Sequence, residues 1–348
     1  MRYFNYAIAL YCVIFLASCQ KNSNTEEIQP LSEEHLQLIE QLGFNTEGIT
    51  DVGDAYLVEE DILLEKSRLT TYLPLNNTET NLKQARVNSL ISYNNQTNIT
   101  VRIDNSIPSS GLDNWHTEVQ QALNLWNGVT RSRIHFIYTT SSSADITIQS
   151  DNGAFGNLVL AAASWPTGGN AGPSIRINLD FFNNRTMSSS QKLYNMVHEL
   201  GHCLGFRHTN WSGLGESSAI GISGTPTSGS NPDPNSVMNG NTALNGWNGF
   251  SGHDQNALVK LYPAFIVSIN GFPSRLYPSD LNKPITISAS CPQSGISYNW
   301  SASGGYISGI STGSSVKAVP GSPITFGVYL IATNTYGETV RISKMVQP

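Results

Sequence analysis

Three of the seven histidines in this 348-residue chain fall within eleven residues, as His198-Glu199-Leu200-Gly201-His202-Cys203-Leu204-Gly205-Phe206-Arg207-His208. Leu193, Met196, Val197, Leu200 and Leu204 recur at helical spacing, and Ser188 with Gln191 forms a capping box, so a helix is predicted here. On that helix His198 and His202 lie one turn apart, with both imidazoles pointing the same way. Cys203 faces away from them and reads as a small buried residue. Gly205 can take a positive φ and turn the chain back, so His208 reaches the same point from another direction. Three neutral imidazoles suit one Zn²⁺ and leave a tetrahedral position for water, whose pKa falls to about 7. Glu199 stands beside His198 and can take and relay that proton without occupying the metal. At this composition such a pattern arises by chance in roughly 10⁻⁵ of chains. A zinc held only for structure has no need of Glu199. The expected chemistry is metal-assisted hydrolysis, with His198, His202 and His208 as ligands and Glu199 as general base and acid.

Several elements must hold this motif in place. Val101 and Ile103 alternate as a strand, and Trp115, Val119, Ala122, Leu123 and Trp126 predict a helix from Asp113 to Asn127. Strands are predicted at Ile134–Tyr138, Ala144–Ile148, Leu158–Ser164 and Ile175–Leu179. Residues 209–237 are rich in Ser, Gly and Pro and read as a long surface loop, before a closing helix from Asp254 to Tyr262. Upstream, Ser32 to Phe44 reads as a short helix with Ser32 as cap, Leu31 and Leu36 as staple and Gly43 at the stop. Tyr56 to Leu64 is extended and acidic. Residues 66–97 are polar without an apolar period and read as a linker. From Phe265 onward short strands (Ile285–Ile287, Tyr298–Ala302, Thr325–Ala332, Val340–Ser343) have the spacing of a small β-sandwich. The fold class expected is a mixed α+β domain followed by an all-β sandwich.

Composition narrows the partners. Nineteen Lys and Arg against 25 Asp and Glu give a net charge of −6, and no basic block occurs, which disfavours nucleic acid. Ala7 to Leu16 is an apolar run of ten residues after Met1-Arg2, too short to cross a bilayer of ~30 Å but suited to a signal peptide. His35, His116, His135 and His253 have no ligand spacing and read as structural or surface residues. Asp151-Asn152-Gly153 reads as a plain turn, with a Ca²⁺ loop as the alternative.

Two resemblances add to this. Leu16-Ala17-Ser18-Cys19 resembles the bacterial lipobox, which implies cleavage before Cys19, lipidation of its thiol, and a membrane-anchored protein of the outer membrane or cell surface. Residues 20–25 then form a solvated tether. With Cys12 removed and Cys19 acylated, Cys203 and Cys291 remain, with no reason to pair. The histidine motif is the long zincin signature of the metzincins, and Ser236-Val237-Met238-Asn239-Gly240 resembles the clan's methionine turn, implying that Met238 underlies the metal. Leu158–Pro166 resembles the matrixin edge strand, implying that Leu160, Ala161, Ala162 and Ala163 pair with an extended protein or peptide substrate. Gly249–Pro263 resembles the matrixin closing helix. His198 to Trp211 resembles the bacterial dual-action HEIGH metallopeptidases of the protein-B type, as does the segment from Gly43 to Ile62, so the likeness covers residues 35–263.

Ala162 stands where matrixins often place a histidine for a second zinc, and Cys19 is the one cysteine of the mature pro-region, so neither that ion nor a cysteine switch is expected. Instead a carboxylate of the pro-segment, Asp61, is expected to displace the water until the linker is cut. Cys291 and Trp300 lie where an immunoglobulin-like domain keeps core residues. The organisation implied is signal peptide 1–18, tether and pro-segment 19–97, metzincin-type zinc endopeptidase 98–264 and immunoglobulin-like sandwich 265–348. The alternative is a surface adhesin or glycan-binding lipoprotein with a non-catalytic zinc site.

Overall fold

The alternation of apolar and polar residues in the central strands has a simple origin: helices cover only one face of their sheet. The computed structural model describes residues 31–72, 85–183, 185–217, 219–225 and 232–346. The expected signal peptide, lipidated Cys19 and tether fall on residues 1–30 and lie outside the described residues. The N-terminal region contains α1 (Glu33–Gln41), β1 (Thr50–Asp51), β2 (Ala55–Val58), β3 (Ile62–Glu65) and α2 (Leu69–Tyr72). Then follow β4 (Ala85–Arg86), β5 (Ile99–Ile103), α3 (His116–Asn127), β6 (Phe136–Tyr138), β7 (Ile146–Ser150), β8 (Ala161–Ser164) and β9 (Ser174–Ile177). The motif helix α4 (Ser189–Cys203), α5 (Trp211–Leu214), β10 (Ile220–Gly221) and α6 (Gly252–Leu261) complete this part.

Eight strands form one sheet in the order β1-β2-β3-β8-β9-β7-β5-β6. Strands β5, β6, β7 and β9 are parallel, β8 runs antiparallel to β9, and β3 runs parallel to β8. Val101, Ile146, Ile148, Ile175 and Ile177 are fully buried and share a core with apolar residues of α3 and α4. Their neighbours Thr100, Arg102 and Thr147 remain partly exposed on the other face. Trp126 of α3 ties the helices together: its indole N–H donates to the Val197 carbonyl at 3.1 Å. The α4 capping box is present, with both Ser188–Gln191 bonds made.

Three expectations need correction. The described parts of residues 66–97 are not a plain linker. Val87 and Ile91 are buried, and β4 pairs with β10 and bridges to Phe206, so residues 85–97 belong to the packed body. The apolar positions are isolated because each element is only a few residues long. Nor is Leu160–Ala163 at a sheet edge: β3 pairs with β8 through Ile62–Ala163 and Leu63–Ser164, leaving Ala162 fully buried. Finally, Ser32 makes no side-chain cap; α1 starts on the Leu36 N–H to Ser32 carbonyl bond, with Glu33 and Glu34 facing its positive end.

The C-terminal part forms two antiparallel sheets over one core. Strands β11 (Ser268–Asn270), β12 (Ile285–Ser290), β13 (Ser297–Ser303), β14 (Gly305–Ser308), β15 (Ser315–Pro320), β16 (Gly327–Thr333) and β17 (Thr339–Met345) are arranged as β11-β12-β15-β14 and β13-β16-β17. Trp300, Ile287, Phe326 and Leu330 are buried between them, and Cys291 is a free thiol beside this core. A polar and aromatic clamp joins this unit to the larger one. Tyr93 stacks on Tyr336 with ring centroids 3.7 Å apart, and the Arg133 guanidinium lies 3.7 Å from the Tyr93 centroid. Arg133 also pairs with Glu338 at 2.9 Å, and the Tyr93 hydroxyl donates to the same carboxylate at 2.5 Å.

Candidate metal centre

Helix α4 presents His198 and His202 together, with their Nε2 atoms 3.0 Å apart. The chain leaves the helix at Gly205, whose φ of +94° lies in the left-handed region. Residues 205–207 then pair with the β4 segment: the Val87 N–H donates to the Gly205 carbonyl at 2.9 Å, and the Arg207 N–H to the Ala85 carbonyl at 2.8 Å. This return brings His208 to the other two. Each imidazole is fixed through its outer nitrogen. Nδ1 of His198 meets the Val237 carbonyl at 2.7 Å, that of His202 the Phe206 carbonyl at 2.8 Å, and that of His208 Glu216 Oε1 at 2.5 Å. The carbonyl acceptors place the proton on Nδ1 of His198 and His202, so their Nε2 lone pairs face inward, toward the point that His208 Nε2 also reaches.

Asp61 completes the group. Its Oδ2 lies 2.8 Å from His208 Nε2 and 3.3 Å from His198 Nε2, and its Oδ1 lies 3.7 Å from His202 Nε2. One ligand atom from each of these four residues falls within 4.8 Å of the others. Asp61 Oδ1 is buried and has no hydrogen-bond partner among the described residues, as expected of a carboxylate facing a cation. Three nitrogens and one oxygen in a tight cluster fit Zn²⁺.

The tip of the β2–β3 hairpin carries Asp61 into the cluster. Val58 pairs with Ile62, closing the loop Glu59-Glu60-Asp61. Glu59 and Glu60 have φ of 49° and 71°, a left-handed pair that costs of order 1–3 kcal/mol per residue. Contacts hold it there. Glu59 and Arg207 form a buried ion pair, the Ser217 N–H donates to Glu59 Oε1 at 3.2 Å, and the Ala163 N–H donates to the Asp61 carbonyl at 2.9 Å. Burial pushes the Glu59 carboxyl up to about 7 against the pull of Arg207.

Glu199 is buried beside His198, and its Oε2 has no hydrogen-bond partner among the described residues. Burial, then the nearby Asp61 charge, push its carboxyl well above the ordinary range. Burial would also raise Asp61, but the His208 imidazole, which Asp61 and Glu216 push well above its ordinary value against the effect of burial, holds it well below the ordinary carboxylate range. Burial lowers the His202 imidazole to about 4, which keeps it neutral and available as a ligand. A cavity of about 440 Å³ opens beside these groups, lined by Leu160, Phe181, Asn195, His198, Glu199 and Asn245. Leu160 and Ala161 face this cavity, whereas Ala162 and Ala163 lie under the hairpin.

Met238 is buried beneath the cluster. A Cβ added to Gly201 would fall 2.3 Å from its sulfur, so only glycine fits at that crossing. The segment Ser236–Gly240 is held from α6. Asp254 accepts from the Ser236 hydroxyl at 2.6 Å, the Val237 N–H at 3.1 Å and the Ser251 N–H at 3.0 Å. Replacing Asp254 with Ala strands these donors, at about 1–3 kcal/mol for each one left buried. Asp254→Ala is expected to lower the thermal unfolding midpoint by several degrees in a calorimetric scan, and an unchanged midpoint would contradict this role.

The cluster thus unites every sequence-predicted ligand with Glu199 and Asp61. Glu59, Arg207 and Glu216 were missed. Glu216 had a signal: it and Asp233 are the charged residues of the long Ser/Gly/Pro stretch 209–237. That stretch also holds α5 and β10, so it is not wholly loop. Asp151 accepts the Phe155 N–H at 2.8 Å, as in an ordinary turn.

Residues 92–214 match the family model described as Matrixin. Macrophage metalloelastase of Oryctolagus cuniculus is 34% identical over an aligned length of 124, with 32% of this chain and 25% of that protein covered. The chain therefore spans about a quarter of the length of that curated relative. A solved structure titled crystal structure of myroilysin is 16% identical with a TM-score of 0.32, covering 49% of this chain and 85% of its own. The matrixin-like segment contains all three histidines, while Asp61 and its hairpin precede it.

Proposed function

We propose that this chain is an exported, lipid-anchored zinc endopeptidase of metzincin type, made in a latent form. The observation that carries the reading is the convergence of three Nε2 atoms beside Glu199 at the mouth of a cavity. The matrixin match and the metalloelastase likeness support the reaction class. The sequence of residues 1–19 supports export and anchoring at Cys19. The likeness to the dual-action HEIGH group and an immunoglobulin-like character for residues 265–348 belong to the same proposal.

His198, His202 and His208 would hold Zn²⁺, which when bound supplies Lewis-acid polarisation and acidifies water. Glu199 accepts a proton from the attacking water and delivers it to the leaving amine nitrogen. Asp61 opposes both roles: it would serve as a fourth ligand where water is needed, and its charge favours the protonated form of Glu199. Strand β3 meanwhile occupies the backbone of β8 that an extended substrate would use. The active form therefore requires the hairpin to leave.

The test compares the full chain with one beginning at Ala85. Both should contain one zinc per chain by elemental analysis, and the shorter chain should cleave casein much faster. A chain beginning at Asn98 is expected to be unstable, since it lacks β4, buried Ile91 and Tyr93. Absence of zinc, or no cleavage of several unfolded proteins by the zinc-loaded shorter chain, refutes the reading and favours the adhesin.

A further inference from the structure

Two of the three histidines rest their outer nitrogens on backbone carbonyls, and the third rests on a carboxylate. We propose that Glu216 is a positioning residue for the metal: it fixes the orientation of His208, increases its donor strength and thereby sets how tightly the ion is held. This rests on the zinc reading given above.

The local structure is built for that contact. Helix α5 ends at Gly215, whose φ of +77° turns the chain back, and the Glu216 N–H donates to the Trp211 carbonyl at 3.0 Å. The side chain of Glu216 is 7% exposed, and Oε1 lies 2.5 Å from His208 Nδ1. A Cβ at Gly240 would lie 2.9 Å from the same Nδ1, so the glycine backbone passes close against this ring. A bond from imidazole N–H to a buried carboxylate is charge-assisted and stronger than one to a carbonyl. It holds the proton on Nδ1 and leaves Nε2 as the donor to the metal. The negative charge also offsets the charge of a buried dication, which a carbonyl dipole does only weakly. Oε2 of Glu216 has no hydrogen-bond partner among the described residues, so no other described hydrogen bond or ion pair accounts for this buried acid.

The experiment measures zinc affinity of the full chain by competition with a chromogenic chelator. Glu216→Gln keeps the shape and an acceptor oxygen but removes the charge, and Glu216→Ala removes both. Outer-shell partners of this kind are worth about 10–100-fold in metal affinity, so Kd should rise about 10-fold in Gln and towards 100-fold in Ala. The visible absorption of the Co²⁺-substituted Gln variant should shift from that of the parent, which a merely structural change distant from the metal would not cause. Unchanged Kd and Co²⁺ spectrum in the folded Gln variant overturn the proposal. A parent chain that takes up no zinc overturns this proposal and the peptidase reading together. Zinc uptake with the expected order of affinities, but no proteolysis by the chain starting at Ala85, refutes the peptidase reading and upholds the role of Glu216.

Discussion

Glu199→Gln in the chain beginning at Ala85 is expected to reduce casein cleavage by about 10²–10⁴-fold while leaving one zinc bound. The substitution keeps size and shape but cannot carry a proton. Its three neighbouring ligands are untouched, and Glu199 Oε2 holds no hydrogen bond whose loss could spread into the fold. His202→Ala should behave differently. Its ring is fully buried against His198 and the Phe206 carbonyl, so its removal loses the metal and, with it, folding free energy. Measuring turnover, zinc content and unfolding midpoint on both variants separates chemistry from binding. Equal turnover by parent and Glu199→Gln would exclude a role for this carboxylate in hydrolysis.

The second large effect concerns the hairpin. Asp61→Ala alone frees a ligand direction but leaves β3 paired with β8 and Glu59 buried against Arg207. The cleft stays covered, so activity of the uncut chain should rise only slightly. Adding Glu59→Ala changes the balance, because it removes the ion pair to Arg207 and the acceptor of the Ser217 N–H, two contacts that hold the hairpin tip down. A hydrogen bond to a charged group is worth about 1.5–3 kcal/mol, which is about 10–100-fold in the docking equilibrium. Glu60 and residue 59 also relax from their left-handed conformations once the hairpin is out. The uncut Glu59→Ala, Asp61→Ala chain should therefore approach the activity of the chain starting at Ala85, with its length verified by mass spectrometry. If the folded, zinc-loaded double variant remains as inactive as the uncut parent, the hairpin is not the block.

The parts of the fold that were readable from the residues are those with long periods. Helix α4 declares itself through five apolar positions and a capping box, and its histidines gain meaning from i, i+4 geometry alone. The hairpin is harder. Residues 55–65 give two four-residue strands whose faces are both buried, so no alternation marks them, and the turn uses Glu59 and Glu60 rather than glycine. Asp61 could be named as a blocking carboxylate but not placed, because its reach depends on β3 joining β8 about a hundred residues away. Arg207 and Glu216 escaped for a related reason. Each matters through a partner distant in the chain or through a local turn, and neither belongs to a repeating pattern.

Tyr93 sits between the two units, its ring between Arg133 and Tyr336 and its hydroxyl on Glu338. Trimming the chain to end at Ala264 would leave that ring face bare and take away the counter-charge of Arg133. The trimmed surface would carry a flat aromatic plate under an exposed guanidinium, a combination prone to adhere to other proteins and to itself. Handling properties of the shortened chain would then report on this scar rather than on the natural molecule. The smallest faithful unit keeps the sandwich, even for work concerned only with the metal.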